Sequence, residues 1–176
     1  MKDLVRQKLS IHVDVMDLLN KQIEKEAHSS SAYLAMASWC DHNALSYSAD
    51  FFYEQASEER EHMMKIFRYI NDNGGTAFSP EVGGVNHDFK SLEEIFETAL
   101  DQEIAITKSI HNLVGKCRKV NDYTTEYFLH WFIQEQMEEE QTMRRALELF
   151  DLMGTDVLGL KLLDERIPQI REKRPE

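Results

Sequence analysis

Turn-forming residues are scarce in this chain, whose 176 residues include only seven glycines and three prolines. A sandwich or barrel of many short strands needs frequent turn residues, so this scarcity argues against those folds and favours long helices with few connections. Hydrophobic residues make up 42% of the chain and aromatic residues 10%, which is enough for one core of ordinary size. We therefore expect a single all-α domain over residues 1–176.

Cysteines and basic residues are also few. Cys40 and Cys117 stand alone rather than in a CxxC pair, which argues against both a disulfide framework and a cysteine metal site. The 20 Lys and Arg against 32 Asp and Glu give a net charge of −12, which disfavours nucleic acids and anionic membranes as partners and favours cations. No apolar run approaches the roughly 18 residues that span a bilayer, and the first residues do not lead into a signal-peptide core. We expect a cytoplasmic protein that binds neither nucleic acid nor membrane.

Capping and turn signals divide the chain into four long helical segments and a short fifth one. Ser91 followed by Glu94 forms a capping-box pattern, and Asn121-Asp122 precedes the fourth segment. A connection of about 15 residues separates the second and third segments, which is unusually long for a compact domain. The expected helices span about residues 13–43, 48–73, 91–120, 122–153 and 156–166, with a crossover loop over about residues 75–90.

The apolar residues of each long segment follow one another at alternating spacings of three and four. In the third segment the series runs through Phe96, Ala99, Glu103, Ile106 and Ile110. Such a seam is typical of bundle helices that cross at about 20° and bury one face against each other. With one long connection in the middle, the pattern predicts an up-down-down-up four-helix bundle that has one long crossover and a short C-terminal fifth helix.

Each of the four seams carries polar side chains near the middle of its helix. A buried carboxylate costs several kcal/mol unless a proton, a base or a cation neutralises it, and no Lys or Arg stands at these positions. Oxygen-rich ligands with one nitrogen suit a pair of divalent cations such as iron, manganese or zinc. A buried hydrogen-bonded network without metal is the alternative explanation. The seam residues concerned are Glu26, Glu59, His62, Glu103, Gln136 and Glu139.

The arrangement of these residues is asymmetric. Glu59 and His62 are three residues apart and project from one helix face toward the same point. Di-metal carboxylate bundles take one Glu from each of two helices and a Glu-x-x-His motif from each of the other two. Here the second motif position runs from Gln136 to Glu139 and lacks the histidine. We therefore expect one metal to have more protein ligands than the other.

Over nearly its whole length the chain resembles the ferritins, specifically the haem-free bacterial ferritins. The residues that carry this resemblance are Glu26 with Tyr33, the segment 58–62 that reads EEREH, Glu103, and the segment 131–140 that reads WFIQEQMEEE. Haem-binding bacterioferritins have a methionine at the position of Arg60 and a Glu-x-x-His motif at Gln136 to Glu139. The resemblance therefore implies a ferritin-like bundle without haem.

The resemblance also implies roles for particular residues at a ferroxidase centre. The first iron would take Glu26, Glu59 and His62, and Glu59 would bridge to a second iron. Glu103 and Gln136 would complete the ligands of that second iron. Tyr33, one heptad after Glu26, would hydrogen-bond a ligand or donate an electron, with simple packing as the alternative. The residues that match a third iron site are Glu58, Glu135, Glu138 and Glu139.

Iron storage is the function that this resemblance implies. Fe²⁺ would be oxidised by O₂ or H₂O₂, and Fe³⁺ would form a mineral inside a homo-oligomeric shell of twenty-four subunits with octahedral symmetry. Two other classes of protein are alternatives. One is a small di-iron oxidase or peroxidase that stores no iron, and the other is a metal-free helical interaction module. A DNA-protecting mini-ferritin would need a basic tail or ligands at a dimer interface, and the sequence displays neither.

Overall fold

The computed structural model describes residues 9–154 and 156–171, and these residues form an all-α four-helix bundle followed by a fifth helix. The expected domain over residues 1–176 also includes residues 1–8, 155 and 172–176, which lie outside the described residues. No helix in the described ranges has both the length and the apolar character needed to cross a membrane. The helices are α1 (Val13–His42), α2 (Ser46–Asp72), α3 (Leu92–Val120), α4 (Tyr123–Met153) and α5 (Val157–Arg166), and a 3₁₀ helix follows over Ile167–Arg171.

The helix starts that the sequence predicts have the expected caps. The Ser91 hydroxyl accepts a hydrogen bond from the Glu94 backbone N–H at 3.1 Å, and the Glu94 carboxylate accepts one from the Lys90 N–H at 2.6 Å. At the start of α4, the Asp122 carboxylate accepts from the Thr125 N–H at 3.1 Å. These side chains satisfy N–H groups that have no partner inside their own helix.

Short turns join α1 to α2 and α3 to α4, and each of these pairs packs along its length. The long connection between α2 and α3 contains no helix, which gives the expected crossover. Asn20 of α1 holds the start of this connection, since its amide donates to the Thr76 carbonyl at 3.2 Å and accepts from the Phe78 N–H at 2.9 Å. Helix α1 also packs against α3, and this contact closes one side of the bundle.

Two apolar clusters form the core, one toward each end of the bundle. Phe52, Phe96 and Phe150 belong to the cluster that α5 also joins, whereas Ile66 and Ile110 belong to the other. On α2, α3 and α4 the polar seam residues lie between the two clusters in chain position, whereas Glu26 of α1 lies within the second cluster, between Ile23 and Ala27. The core thus holds a polar layer in its middle and apolar packing on both sides of it.

Helices α2 and α4 meet mainly through long side chains. The Tyr69 ring stacks on Phe128 with a centroid distance of 3.8 Å, and its hydroxyl lies 2.9 Å from the Thr125 hydroxyl. Beside these contacts a groove of about 890 Å³ remains open between the two helices, and His62 and Trp131 are among its lining residues. The polar layer is therefore accessible from the α2–α4 side.

The start of α2 is capped by a residue from α5. Leu45 precedes α2 and forms no side-chain cap. Asp164 instead accepts from the Ser48 N–H at 2.8 Å and from the Ser48 hydroxyl at 2.6 Å, and its side chain is buried. Because this cap comes from 116 residues away, α5 stabilises the end of the bundle on which it packs.

We expect Asp164→Ala to lower the free energy of unfolding by about 1–3 kcal/mol, because it leaves buried donors of Ser48 without an acceptor. Urea denaturation followed by circular dichroism measures this change. Glu165→Ala is the matched control, since Glu165 is the next residue along α5 and is exposed. A loss of similar size in both variants would contradict the capping role.

Candidate metal centre

Glu26 of α1 and Glu59 and His62 of α2 converge in the polar layer. Each residue offers one ligand atom, and these atoms lie within 4.8 Å of one another. The three residues are 1%, 1% and 4% exposed. The spacing of three residues places Glu59 and His62 on one face of α2, and the packing of α1 along α2 brings Glu26 to the same place.

Several polar atoms of this triad have no hydrogen-bond partner among the described residues. They are Oε2 of Glu26, both carboxylate oxygens of Glu59 and Nδ1 of His62. The closest approach between the latter two side chains is 3.6 Å, from His62 Nδ1 to Glu59 Oε2. Buried polar atoms without partners are costly and uncommon in folded proteins. Two carboxylates and one imidazole whose ligand atoms lie this close together fit a divalent cation.

The electrostatics of the triad agree with this donor set. Burial raises the pKa of both the Glu26 and the Glu59 carboxyl well above the usual range. Repulsion from Glu59 raises the pKa of Glu26 further, and Glu103 has the same effect on Glu59. No Lys or Arg in the described part of the chain forms an ion pair with Glu26, Glu59 or Glu103. A bound cation would remove this repulsion, because it neutralises the carboxylates together.

A second group of expected ligands forms a hydrogen-bonded cluster beside the triad. Glu103 is fully buried, and one of its oxygens accepts from the Tyr33 hydroxyl. Its other oxygen accepts from the side-chain amide of Gln136 at 2.8 Å. Tyr33 thus contacts an expected ligand and also packs against Phe52, with ring centroids 5.8 Å apart. Neutral donors therefore hold Glu103 and leave its charge uncompensated.

The residues expected at a third site have different surroundings. Glu139 is buried and accepts from the Gln55 amide at 2.9 Å, and burial raises its pKa to about 7. Glu58 and Glu135 line the groove between α2 and α4, but Glu58 is ion-paired with Arg171. Glu138 is exposed on α4. The structure therefore does not present these four carboxylates as one free cluster.

Two buried glutamines support the site, although the sequence analysis did not assign them to it. The Gln22 amide donates to Glu26 at 2.7 Å, and its carbonyl accepts from the Ser109 hydroxyl at 2.6 Å. Gln55 connects Glu139 to Arg171. Each glutamine precedes a seam glutamate by four residues. This spacing places each glutamine on the same helix face as a seam glutamate, and it is the sequence signal that could have identified these two residues.

The sequence model of the ferritin-like domain matches residues 16–153, a range that contains all the expected ligands. The chain belongs to the ferritin-like family. A probable bacterial non-heme ferritin-like protein of Haemophilus influenzae is 38% identical over 160 residues, which cover 91% of this chain and 97% of that protein. The bacterial non-heme ferritin of Campylobacter jejuni is also 38% identical, over 92% of this chain and 96% of its own length.

Solved ferritin structures have the same fold as this ferritin-like chain. The open pore ferritin of the hyperthermophilic archaeon Archaeoglobus fulgidus superimposes with a TM-score of 0.87 and is 33% identical. The match covers 90% of this chain and 96% of the archaeal one. The family and the bundle that the sequence predicts are therefore confirmed.

In the metal-free protein we expect Glu59→Gln to raise the free energy of unfolding by about 1–2 kcal/mol at pH 8, because it removes one buried negative charge. A carboxyl with a raised folded-state pKa destabilises the protein when it is charged, so the gain should shrink toward pH 5. Urea denaturation in the presence of a chelator measures both effects. Glu61→Gln, an exposed change on the same helix, is the control. A Glu59→Gln protein no more stable than this control at pH 8 would contradict the electrostatic account.

Cation binding should release protons, because burial raises the pKa of the ligand carboxyls and a carboxyl binds metal only when ionised. We expect proton release on Mn²⁺ binding, and an affinity that weakens as the pH falls from 8 to 6. Calorimetric titrations in two buffers of different ionisation enthalpy give the number of protons released. Binding without proton release would contradict the raised pKa values.

Proposed function

We propose that this ferritin-like protein stores iron, with Fe²⁺ as its substrate. In this proposal Fe²⁺ is oxidised by O₂ or H₂O₂ at a buried dinuclear centre, and ferric oxyhydroxide is deposited inside a shell of twenty-four subunits. Membership of the family supports iron storage as such. The single observation that carries the oxidation centre is the buried triad of Glu26, Glu59 and His62, in which four polar atoms have no hydrogen-bond partner among the described residues.

The first Fe²⁺ would bind Glu26, Glu59 and His62, and the second would bind Glu59, Glu103 and Gln136. Both oxygens of Glu59 lack hydrogen-bond partners in the part of the chain that the structure describes, which suits a carboxylate that bridges two ions. Bridged ions in two-metal sites lie roughly 3.5–4 Å apart. Glu103 can exchange its neutral donors for an ion, since neither donor cancels its charge.

The redox step needs two ferrous ions at once. Two Fe²⁺ lose one electron each, and with two protons these electrons reduce O₂ to H₂O₂. H₂O₂ can oxidise a further pair of Fe²⁺ and take up two more protons to give water. The carboxylates favour the ferric product because they add negative charge around an ion whose charge has increased. Tyr33 donates a hydrogen bond from its hydroxyl to Glu103 and so positions a ligand of the second ion.

Ferric ions would leave the centre through the groove between α2 and α4. His62 reaches this groove from the triad, and Glu58, Glu61 and Glu135 also line it. Oxygen ligands exchange more readily than thiolates at such ions, which suits transit rather than permanent binding. Hydrolysis of the released Fe³⁺ then supplies the mineral.

A small di-iron oxidase that stores nothing is the second candidate, and the surface around α5 favours the shell. Leu152, Val157 and Leu158 are 80%, 91% and 67% exposed. Apolar side chains grouped at one place on a single chain are typical of surfaces that assembly buries. These residues therefore support an oligomer in which the ends of several bundles meet.

We expect the double variant Glu59→Ala with His62→Ala to abolish fast iron oxidation, because it removes the shared carboxylate and the only imidazole of the triad. Near-ultraviolet absorbance after aerobic addition of Fe²⁺ measures the rate. Glu24→Gln is the control, because Glu24 is exposed on α1 and lies outside the groove, and it should oxidise iron at the unmodified rate. Unchanged kinetics in the double variant would rule out this centre.

The same proteins test storage when they are run on size-exclusion chromatography with light scattering. We expect a particle of roughly half a megadalton, the mass of twenty-four chains of 20.6 kDa each, for all three proteins. The unmodified particle should take up iron ions on the order of hundreds. That number exceeds what its binding sites could hold and indicates a mineral. A small oligomer that oxidises only a few ions would favour the oxidase instead.

A further inference from the structure

The last described residue, Arg171, places its guanidinium among the carboxylates of α2. Nη1 and Nη2 donate to the two oxygens of Glu58 at 2.9 and 2.7 Å, which is the paired geometry of a strong Arg–carboxylate interaction. Oε2 of Glu54 lies 3.6 Å from Nη1 of Arg171, and the guanidinium carbon lies 4.9 Å from the centre of the Phe51 ring. Arg171 is 26% exposed, so part of this contact is removed from water.

The fold holds Arg171 in this position. The 3₁₀ helix that carries it is anchored by Ile167 and Ile170, which are 0% and 7% exposed. Arg145 of α4 donates to the Ile170 carbonyl at 3.1 Å and fixes the backbone next to Arg171. Two buried side chains and a backbone contact thus determine where the guanidinium lies, which distinguishes it from a freely moving surface arginine.

The guanidinium also reaches the polar layer through Gln55. Nη2 of Arg171 donates to the Gln55 carbonyl, and the Gln55 amide donates to Glu139 at 2.9 Å. Gln55 is fully buried and Glu139 is 6% exposed. One cationic group therefore contacts Glu58 directly and Glu139 through one amide.

We propose that Arg171 is a tethered cation that competes with a metal ion for the third position, at the Glu58 side of the centre. Both oxygens of Glu58 are already paired, so an ion can bind this carboxylate only when the guanidinium leaves. The fixed positive charge also repels any cation that approaches between Glu58 and Glu139. Arg171 thus limits occupancy of the third position and favours onward movement of iron over retention.

This inference rests on the proposed function, because it assumes that cations bind at the adjacent centre. It concerns the residue that regulates the third position, and it acts through Glu58 rather than on the reacting ions. Arg171 is accordingly a positioning residue. Its effect is best measured as metal binding rather than as oxidation rate.

Anaerobic calorimetric titration of the full chain with Zn²⁺, which has no redox chemistry, tests the proposal. In Arg171→Gln we expect a further Zn²⁺ per chain, or a third Zn²⁺ bound at least about tenfold more tightly than in the unmodified protein. Adding Glu58→Gln to this variant should abolish the gain. Arg171→Lys keeps the charge, so its third Zn²⁺ should bind with an affinity closer to that of the unmodified protein than to that of Arg171→Gln.

Arg166→Gln is the matched control, since Arg166 is exposed near the end of α5 and its guanidinium hydrogen-bonds only to Gln169 among the described residues. It also removes one positive charge, and we expect it to bind Zn²⁺ as the unmodified protein does. Equal binding by Arg171→Gln and the unmodified protein would overturn the proposal. So would a gain that survives Glu58→Gln, a similar gain in Arg166→Gln, or an Arg171→Lys protein that behaves like Arg171→Gln.

Failure of the proposed function would give a different result. In that case the unmodified protein and the Glu59→Ala, His62→Ala variant would bind Zn²⁺ alike. The claim about Arg171 depends instead on the difference between Arg171→Gln and the unmodified protein, so the two failures are distinguishable.

Discussion

The structure depends on one unfavourable arrangement, which is the burial of several carboxylates in the middle of a helical bundle. Glu26, Glu59 and Glu103 are each at most 1% exposed, and burial raises the pKa of all three. Taking such groups out of water costs several kcal/mol each unless a partner compensates. The rest of the fold has to offset that cost without neutralising the residues.

The two apolar clusters provide this compensation from either side of the polar layer. Phe52, Phe96 and Phe150 pack near α5, and Ile66 and Ile110 pack toward the other end. Burying each large apolar side chain contributes roughly 1.5–3 kcal/mol. Because this packing lies outside the polar layer, the bundle can tolerate repulsion in its middle while its helices stay in register. Stability and the candidate cation site therefore depend on different parts of the same four helices.

Helical periodicity explains why the bundle and the triad were predictable from the sequence. A seam at spacings of three and four fixes which side chains face inward, so Glu59 and His62 necessarily share a face and Glu103 necessarily lies in the core. Partners that are distant in the chain have no such signal. Asp164 caps α2 across 116 residues, and α2 accordingly begins at Ser46 rather than near residue 48.

The same limit applies to the end of the chain and to the third site. The 3₁₀ helix over Ile167–Arg171 was not predicted, since the expected fifth helix ended at about residue 166. Its placement decides that Glu58 faces a guanidinium 113 residues away in sequence. The resemblance implied a ligand role for Glu58 from its position in a motif. The motif contains no information about a partner supplied by another segment.

The carboxylates of the candidate centre differ from Glu58 in the charge of their hydrogen-bond donors. Glu26 accepts from Gln22, and Glu103 accepts from Tyr33 and Gln136, all of which are neutral donors. Neutral donors orient a carboxylate and leave its negative charge available to a cation, whereas a guanidinium cancels that charge.

At Glu58, outside the triad, the hydrogen-bond donor is the charged guanidinium of Arg171. Glu139 is an intermediate case, because its direct donor is the neutral amide of Gln55, which in turn accepts from the same guanidinium. The attraction for a cation therefore decreases from the triad toward Glu58. An ion that moves outward along this path enters a region where the protein already supplies a positive charge. That gradient favours release, as the proposed transit of iron through the centre requires.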